Sequence, residues 1–204
     1  MRRTARAPSR RVRLTSNVRC RKLLAAMPRV ILTGGPGVGK TTLLCQLASL
    51  GHVVVEESAR ALICERMSAG FSPRPDALAF ASEILRRDMV KYERTADTAN
   101  WIFFDRSPLE ALAMVQEVAP RPGVEVEAVI AGFRFHRTVF VLPPWPDIYI
   151  QDKERDHSLE HCLAVHERLV SWYSRCRYHI HEVPRLHVAE RAEYVLQLLA
   201  ESGA

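Results

Sequence analysis

The sequence predicts an α/β fold: a mostly parallel, five-stranded sheet covered by helices on both faces. Three observations carry this. From Arg29 onward, short apolar runs alternate with longer amphipathic stretches. The first apolar run passes directly into a glycine-rich turn and then into a helical pattern. No apolar run approaches the roughly 20 residues that a membrane-crossing helix needs. Strands alternating with helices require right-handed crossovers, which make neighbouring strands parallel and bury both faces of the sheet.

The elements follow in order. Val30 to Thr33 is a short buried-type strand, and Lys40 to Leu50 is a helix stopped by Gly51. His52 to Glu56, with three consecutive valines, is the second strand. Ala59 to Ala69 is helical, and the loop Phe71 to Asp76 holds two prolines. Asp76 is placed to cap the next helix, whose apolar stripe reads Leu78, Ala81, Leu85, Met89 and Tyr92. Trp101 to Phe104 is the third strand, Leu109 to Val118 a helix, and Val124 to Phe133 a further short helix. Thr138 to Leu142 is the fourth strand, ended by Pro143-Pro144. Leu159, Leu163, His166, Val170 and Tyr173 stripe a long helix. His179 to Val183 is the fifth strand, and Val188 to Ala200 closes the chain as a helix.

The 204 residues suit one domain, or one domain and a tail. The net charge of +6 is unevenly spread. Residues 1–26 hold eight Arg, one Lys and no acid, which leaves 20 basic against 23 acidic residues in the rest. A basic nucleic-acid surface is therefore not a property of the body. We divide the chain into a basic, unstructured extension, 1–26, and a domain, 27–204. The extension has three readings: an arm touching nucleic acid or anionic lipid, an Arg-rich transit peptide, or residues upstream of a true start at Met27. Five widely spaced cysteines without a CxxC pair signal neither a disulfide framework nor a zinc site. They fit a reducing, cytoplasmic compartment.

Gly34-Gly35-Pro36-Gly37-Val38-Gly39-Lys40-Thr41 matches G-x-x-x-x-G-K-[ST] in full, between an apolar strand and an amphipathic helix. Such a loop turns its N–H groups inward around an anion. Lys40 sets a cation on the β- and γ-phosphates, and the Thr41 hydroxyl is a magnesium ligand. The helix that follows aims its positive end at the phosphates. Thr42 is included in the nucleotide-binding segment, although it reads chiefly as the next helical residue. The expected ligands are ATP and Mg²⁺. The chain is thus expected to be a P-loop three-layer α/β/α sandwich.

Other strand ends add charge. The second strand runs into Glu56-Glu57, with Arg60 one helical turn later. Adjacent strand residues face opposite ways. Glu57 is favoured as the residue that enters the site, where it can take a proton from a substrate hydroxyl, and Arg60 is grouped with it in substrate binding. Four apolar residues and then Asp105 make a Walker B pattern, in which Asp105 orients magnesium. Arg106 can hold an anionic substrate, or else form a structural ion pair. The dense charges of residues 151–157 suit a lid, with Arg155 as an in-chain arginine finger, or equally a solvated helix start. His157, His161 and His166, and likewise His179 and His181, lack the spacing of a metal site. Trp145, between two prolines, is expected to pack a loop.

Taken together, Gly34 to Thr41, Glu57-Ser-Ala-Arg60, Phe104-Asp105-Arg106, Leu142-Pro-Pro-Trp145 and Asp152-x-x-Arg155 occur in an order that resembles the bacterial "AAA domain" ATP-binding proteins. These are predicted ATPases or kinases, similar to nicotinamide-riboside kinase and, more distantly, to deoxynucleoside and thymidylate kinases. The resemblance implies a nucleoside-kinase-like sheet of order 2-3-1-4-5 with a short lid. It names no acceptor. The absence of Asn-Lys-x-Asp speaks against a conventional GTPase, and the absence of a helical second domain speaks against a ring-forming motor. Three functions follow: a small-molecule kinase with Lys40, Glu57, Asp105 and Arg155 as its catalytic set; a nucleotide-dependent switch or slow ATPase; and a binder of nucleic acid or anionic membrane through the basic extension. The first is favoured.

Overall fold

The structure, a computed structural model, describes residues 29–73, 76–95, 100–148 and 159–202. The basic extension, Asp152, Arg155 and His157 lie outside the described residues. Five parallel strands form one sheet: β1 (Arg29–Gly34), β2 (Val53–Val55), β3 (Ile102–Asp105), β4 (Thr138–Leu142) and β5 (His179–Glu182). Their order is β2-β3-β1-β4-β5, as the resemblance implied. The pairing puts Leu32 beside Asp105 and Gly34 beside Leu142, so β1, β3 and β4 end together at one edge. That edge, the carboxyl end of the central strands, is where ligands bind in such sheets.

Alternation along each strand splits the core in two. Val30, Leu32, Phe103, Phe140 and Leu142 face α1 (Lys40–Ser49) and the closing helix, α7 (Val188–Ser202). Ile31, Ile102, Phe104, Val139 and Val141 face the other way. There they meet partly buried residues of α3 (Ala77–Arg94) and α6 (Leu159–Arg175), and Leu109 of α4 (Pro108–Val118). A smaller cluster joins Leu62 of α2 (Ser58–Ser68) to Phe80, Ile84 and Ala111. The remaining helix, α5 (Gly123–Gly132), buries no residue fully.

Local chemistry sets the boundaries. Gly51 turns the chain out of α1 at φ 89°, a conformation that other residues resist. Asp76 caps α3 by accepting a hydrogen bond from the Ala79 N–H at 3.0 Å. Ser107 caps α4 likewise through Leu109 N, with Pro108 at the first helical position.

Two apolar stripes differ from the expectation. In α3 the buried residues are Phe80, Ala81 and Ile84, while Leu78, Leu85, Met89 and Tyr92 are only half-buried. The helix packs against α2 and α4 as well as the sheet, which rotates its deepest line by a residue. In α6, Leu163 is 47% exposed, and Cys162 and Tyr173 take the buried positions. A thiol counts as a small hydrophobe and packs beneath the phosphate loop where leucine was expected.

Candidate functional site

The loop between β1 and α1 turns as its glycines allow. Gly39, at the helix start, has φ 81°. A Cβ on Gly34 would stand 2.6 Å from the Leu142 carbonyl oxygen, so no larger residue fits between β1 and β4. From below, the Cys162 thiol donates to the Pro36 carbonyl at 3.4 Å, and burial pushes that thiol's pKa up. Lys40 is buried and reaches back along the loop, donating to the carbonyls of Gly34 at 3.1 Å and Gly35 at 3.0 Å. Burial and the neighbouring Arg106 charge lower its pKa, against the pull of Asp105, Glu57 and Glu110.

Beyond Lys40 lies a partly buried charge cluster. Arg106 occupies the left-handed region at φ 71°, unusual for a residue with a side chain. Its N–H donates to the Leu32 carbonyl at 3.1 Å, and its guanidinium ties the conformation down. It donates to Glu57 Oε1 at 2.8 Å, to Glu110 Oε2 at 2.8 Å and to the Gly34 carbonyl at 3.2 Å. One arginine thus joins the ends of β1, β2 and β3 to the first turn of α4. Burial acts to raise the Glu57 pKa, but the charges of Arg106 and Lys40 and the hydrogen bond from Arg106 outweigh it. The carboxyl is held below its ordinary value. Glu57 therefore takes Arg106 as its hydrogen-bonded partner, whereas Arg60, which the sequence suggested, adds only a weaker charge.

Asp105 ends β3 beside the loop. Burial pushes its pKa up to about 6, with Glu57 and Glu110 adding to the rise and Lys40 and Arg106 opposing it. Its Oδ1 is buried without a hydrogen-bond partner. An orphaned carboxylate oxygen in a region with three acids and two bases is the donor chemistry that suits a hard cation. Thr41 stands in the first turn of α1, directly after the loop. These residues fit a magnesium ion. Among the described residues, no group of three or more His, Cys, Asp and Glu is placed to hold a metal unaided. Of the histidines considered for metal binding, His166 lies 3.0 Å from Glu182, and His181 packs against the Phe140 ring.

On the other side of the loop, a cavity of about 450 Å³ opens. Gly37 to Thr42 form one wall, and Trp145, Ile148, Leu186, His187, Val188 and Arg191 the other. Glu57, Asp105 and Arg106 do not line it. Lys40 is the residue shared by the cavity and the charge cluster. Trp145, expected to pack a loop, donates to Asp147 Oδ2 within that loop at 3.2 Å, and it also walls this cavity and lies against Arg191. The reading of the sequence also passed over Glu110, although it stands four residues after Arg106, the helical spacing of an ion pair. Arg191 carried no signal, because only the fold brings it back to the loop.

A strand-loop-helix anion nest at the carboxyl edge of a parallel 2-3-1-4-5 sheet defines a P-loop domain of the kinase-like kind. The chain belongs to the AAA-domain family, whose model matches residues 29–191. No curated protein matches it. Among solved structures, it is similar to deoxyadenosine kinase from M. mycoides with the products dCMP and dCDP bound. The TM-score there is 0.58 at 16% identity, covering 85% of this chain and 99% of that one. With dATP bound, the same kinase gives 0.56 at 14%, covering 84% and 98%. Thymidylate kinase from Ehrlichia chaffeensis gives 0.52 at 14% identity, again covering 84% and 98%. At these identities the likeness is one of fold. Among the described residues, no helix is long and apolar enough to cross a membrane.

Proposed function

We propose that this protein is a phosphotransferase that moves the γ-phosphoryl group of Mg-ATP to a nucleoside-like or nucleotide-like acceptor in the cytoplasm. The observation that carries the reading is the position of Glu57. It is a half-buried, ionised carboxylate held by Arg106, near enough to feel the Lys40 charge yet outside the lining of the cavity. Donor and acceptor then occupy opposite sides of one lysine. A switch or simple ATPase has no use for an enclosed base there.

In this reading the loop amides of Gly35 to Thr41 and the Lys40 ammonium bind the triphosphate, and Thr41 and Asp105 hold magnesium. The ion, when bound, neutralises charge on the phosphates. Glu57 accepts the proton of the acceptor hydroxyl as its oxygen attacks the γ-phosphorus. The bond to the β–γ bridging oxygen breaks, and ADP departs. Arg106 fixes Glu57 and supplies positive charge beside the transferred group. Catalysis of this kind is mostly positioning and electrostatics. Arg155 keeps its proposed role of arginine finger, and Arg60 that of an outer contact to the acceptor. The deoxynucleoside and nucleotide names of the structural relatives support an acceptor of that class.

The test is incubation with ATP, Mg²⁺ and a panel of nucleosides and nucleotides, with products followed by mass. One acceptor is expected to gain a phosphoryl group. Glu57→Gln should keep ATP affinity within about threefold and slow transfer by 10²-fold or more, the range for losing a general base. Slow ATP hydrolysis with every acceptor untouched would replace the kinase reading with the switch.

A further inference from the structure

Arg191 is a buried charge that the proposed chemistry leaves unused. It lies near the start of α7 and is 5% exposed. Its guanidinium carbon stands 5.5 Å from the centre of the Trp145 ring. Its Nη1 is 3.0 Å from where a Cβ on Gly39 would be, so the group rests directly on the phosphate loop. Both Nε and Nη1 are buried and have no hydrogen-bond partner. It lines the cavity rather than packing into the core.

A guanidinium keeps its charge in proteins, and one shut from water without a counter-ion is held at a free-energy cost. Desolvation is felt in its pKa, which is lowered. The stack on Trp145 offsets only part of that cost, since a ring face attracts a cation more weakly than an anion does. The neighbours show what is missing. Its lining combines the loop residues Gly37 to Thr42 with the apolar Trp145, Ile148, Leu186 and Val188. That layout suits a ligand with a polyphosphate at one end and a flat base at the other. Arg191 lines this cavity, which Glu57 and Arg106 do not.

We propose that Arg191 is the counter-charge for the polyphosphate of a nucleoside di- or triphosphate. It binds the phosphate farthest from the transfer, while the wall headed by Trp145 receives the base. The proposal rests on the donor reading given above and adds to it the residues that hold the donor's inner end. Trp145 holds the guanidinium beside the loop, so a small turn of the group brings the unpartnered Nε and Nη1 to phosphate oxygens.

The experiment titrates wild-type protein, Arg191→Met and Arg191→Lys with Mg-ADP and Mg-ATP by calorimetry, and melts each without ligand. Arg191→Met is expected to weaken ADP and ATP tenfold or more while melting at or above the wild-type temperature, because an unpaired cation has been removed. A purely structural arginine gives the reverse: a lower melting temperature with nucleotide affinity kept within twofold, which would overturn the proposal. If Arg191→Met fails to fold, Arg191→Lys decides. Keeping the charge but losing the planar fork, it upholds the proposal by melting like wild type with ADP weakened threefold or more, and overturns it by binding ADP like wild type. Should wild-type protein bind neither nucleotide, the donor reading itself falls, and that outcome is distinct from failure at Arg191 alone.

Discussion

Asp105 brings to the site a carboxylate oxygen that is buried and unpartnered. Its pKa lies near 6 rather than its ordinary 3.8 because burial penalises the anion. The consequence for stability has a definite sign. Between about pH 4 and pH 6 the folded protein holds a proton that the unfolded chain has lost, so stability falls as the pH rises through that window. Above it, the charged form remains a standing cost. Asp105→Asn should therefore stabilise the ligand-free protein at pH 8 by up to about 3 kcal/mol, with the gain shrinking below pH 6 and gone near pH 4. Thermal unfolding between pH 4 and pH 8 checks this. An equal gain at both ends would show that the carboxylate is not strained by its setting. The same substitution should weaken Mg-ATP, since the oxygen left open for a cation is lost. At this scale, pattern alone read Lys40 and Thr41 as the helix start after a glycine-rich turn and Asp105 as a strand end, and they stand there, because a strand followed by glycines or by an acid has few structural meanings. It could not pair Glu57 with Arg106, which stand 49 residues apart and meet only where β2 and β3 lie side by side.

Two elements are fastened to each other beneath the charge cluster. Tyr173 of α6 is fully buried, and its hydroxyl donates to Glu110 Oε1 at 2.7 Å and meets Ser107 Oγ at 2.8 Å. Burial and the Glu110 carboxylate push the phenol's pKa well above its ordinary value, so it stays a donor. Glu110 spends its other oxygen on Arg106. The first turn of α4 is thus clamped between α6 on one side and the arginine that orients Glu57 on the other. Tyr173→Phe keeps the ring packing but leaves Glu110 and Ser107 each short of a buried partner. It should cost about 1–3 kcal/mol, or a fall of several degrees in melting temperature for a domain of this size. Denaturant unfolding with an unchanged slope would confirm the cost, and wild-type stability would mean that water or relaxation satisfies Glu110. Helix existence was legible here from periodicity. The facing of α6 was not, because the stripe counted Leu163 as core and gave Cys162 no weight. The loop above selects a small, polarizable side chain at that contact, which hydrophobicity alone does not encode.

Across the whole molecule, ligand binding and folding are coupled through the junction of β1 and α1. The loop spans two strands and two helices: Gly34 lies against Leu142 of β4, Pro36 accepts from Cys162 of α6, and Gly39 abuts Arg191 of α7. Layer order and strand order were legible because alternating elements leave few right-handed ways to build a sheet. The long-range contacts on the loop were not, since each partner comes from a segment more than 100 residues away. A nucleotide that binds only this assembled junction must stabilise the entire fold by mass action. At a Mg-ATP concentration of a hundred times Kd, the gain is about 2.7 kcal/mol, or roughly 5–10 °C in melting temperature at this chain length. Lys40→Ala should abolish most of that rise. It also deletes a buried cation whose pKa is already lowered, and takes the Lys40 donor from the Gly35 carbonyl and from the Gly34 carbonyl, which keeps Arg106, so its ligand-free melting temperature has to be measured beside it. A thermal-shift titration of both proteins with Mg-ATP separates the two effects. A rise that survives in Lys40→Ala would place the nucleotide somewhere other than the phosphate loop, and with it would go the division of donor and acceptor to either side of that lysine.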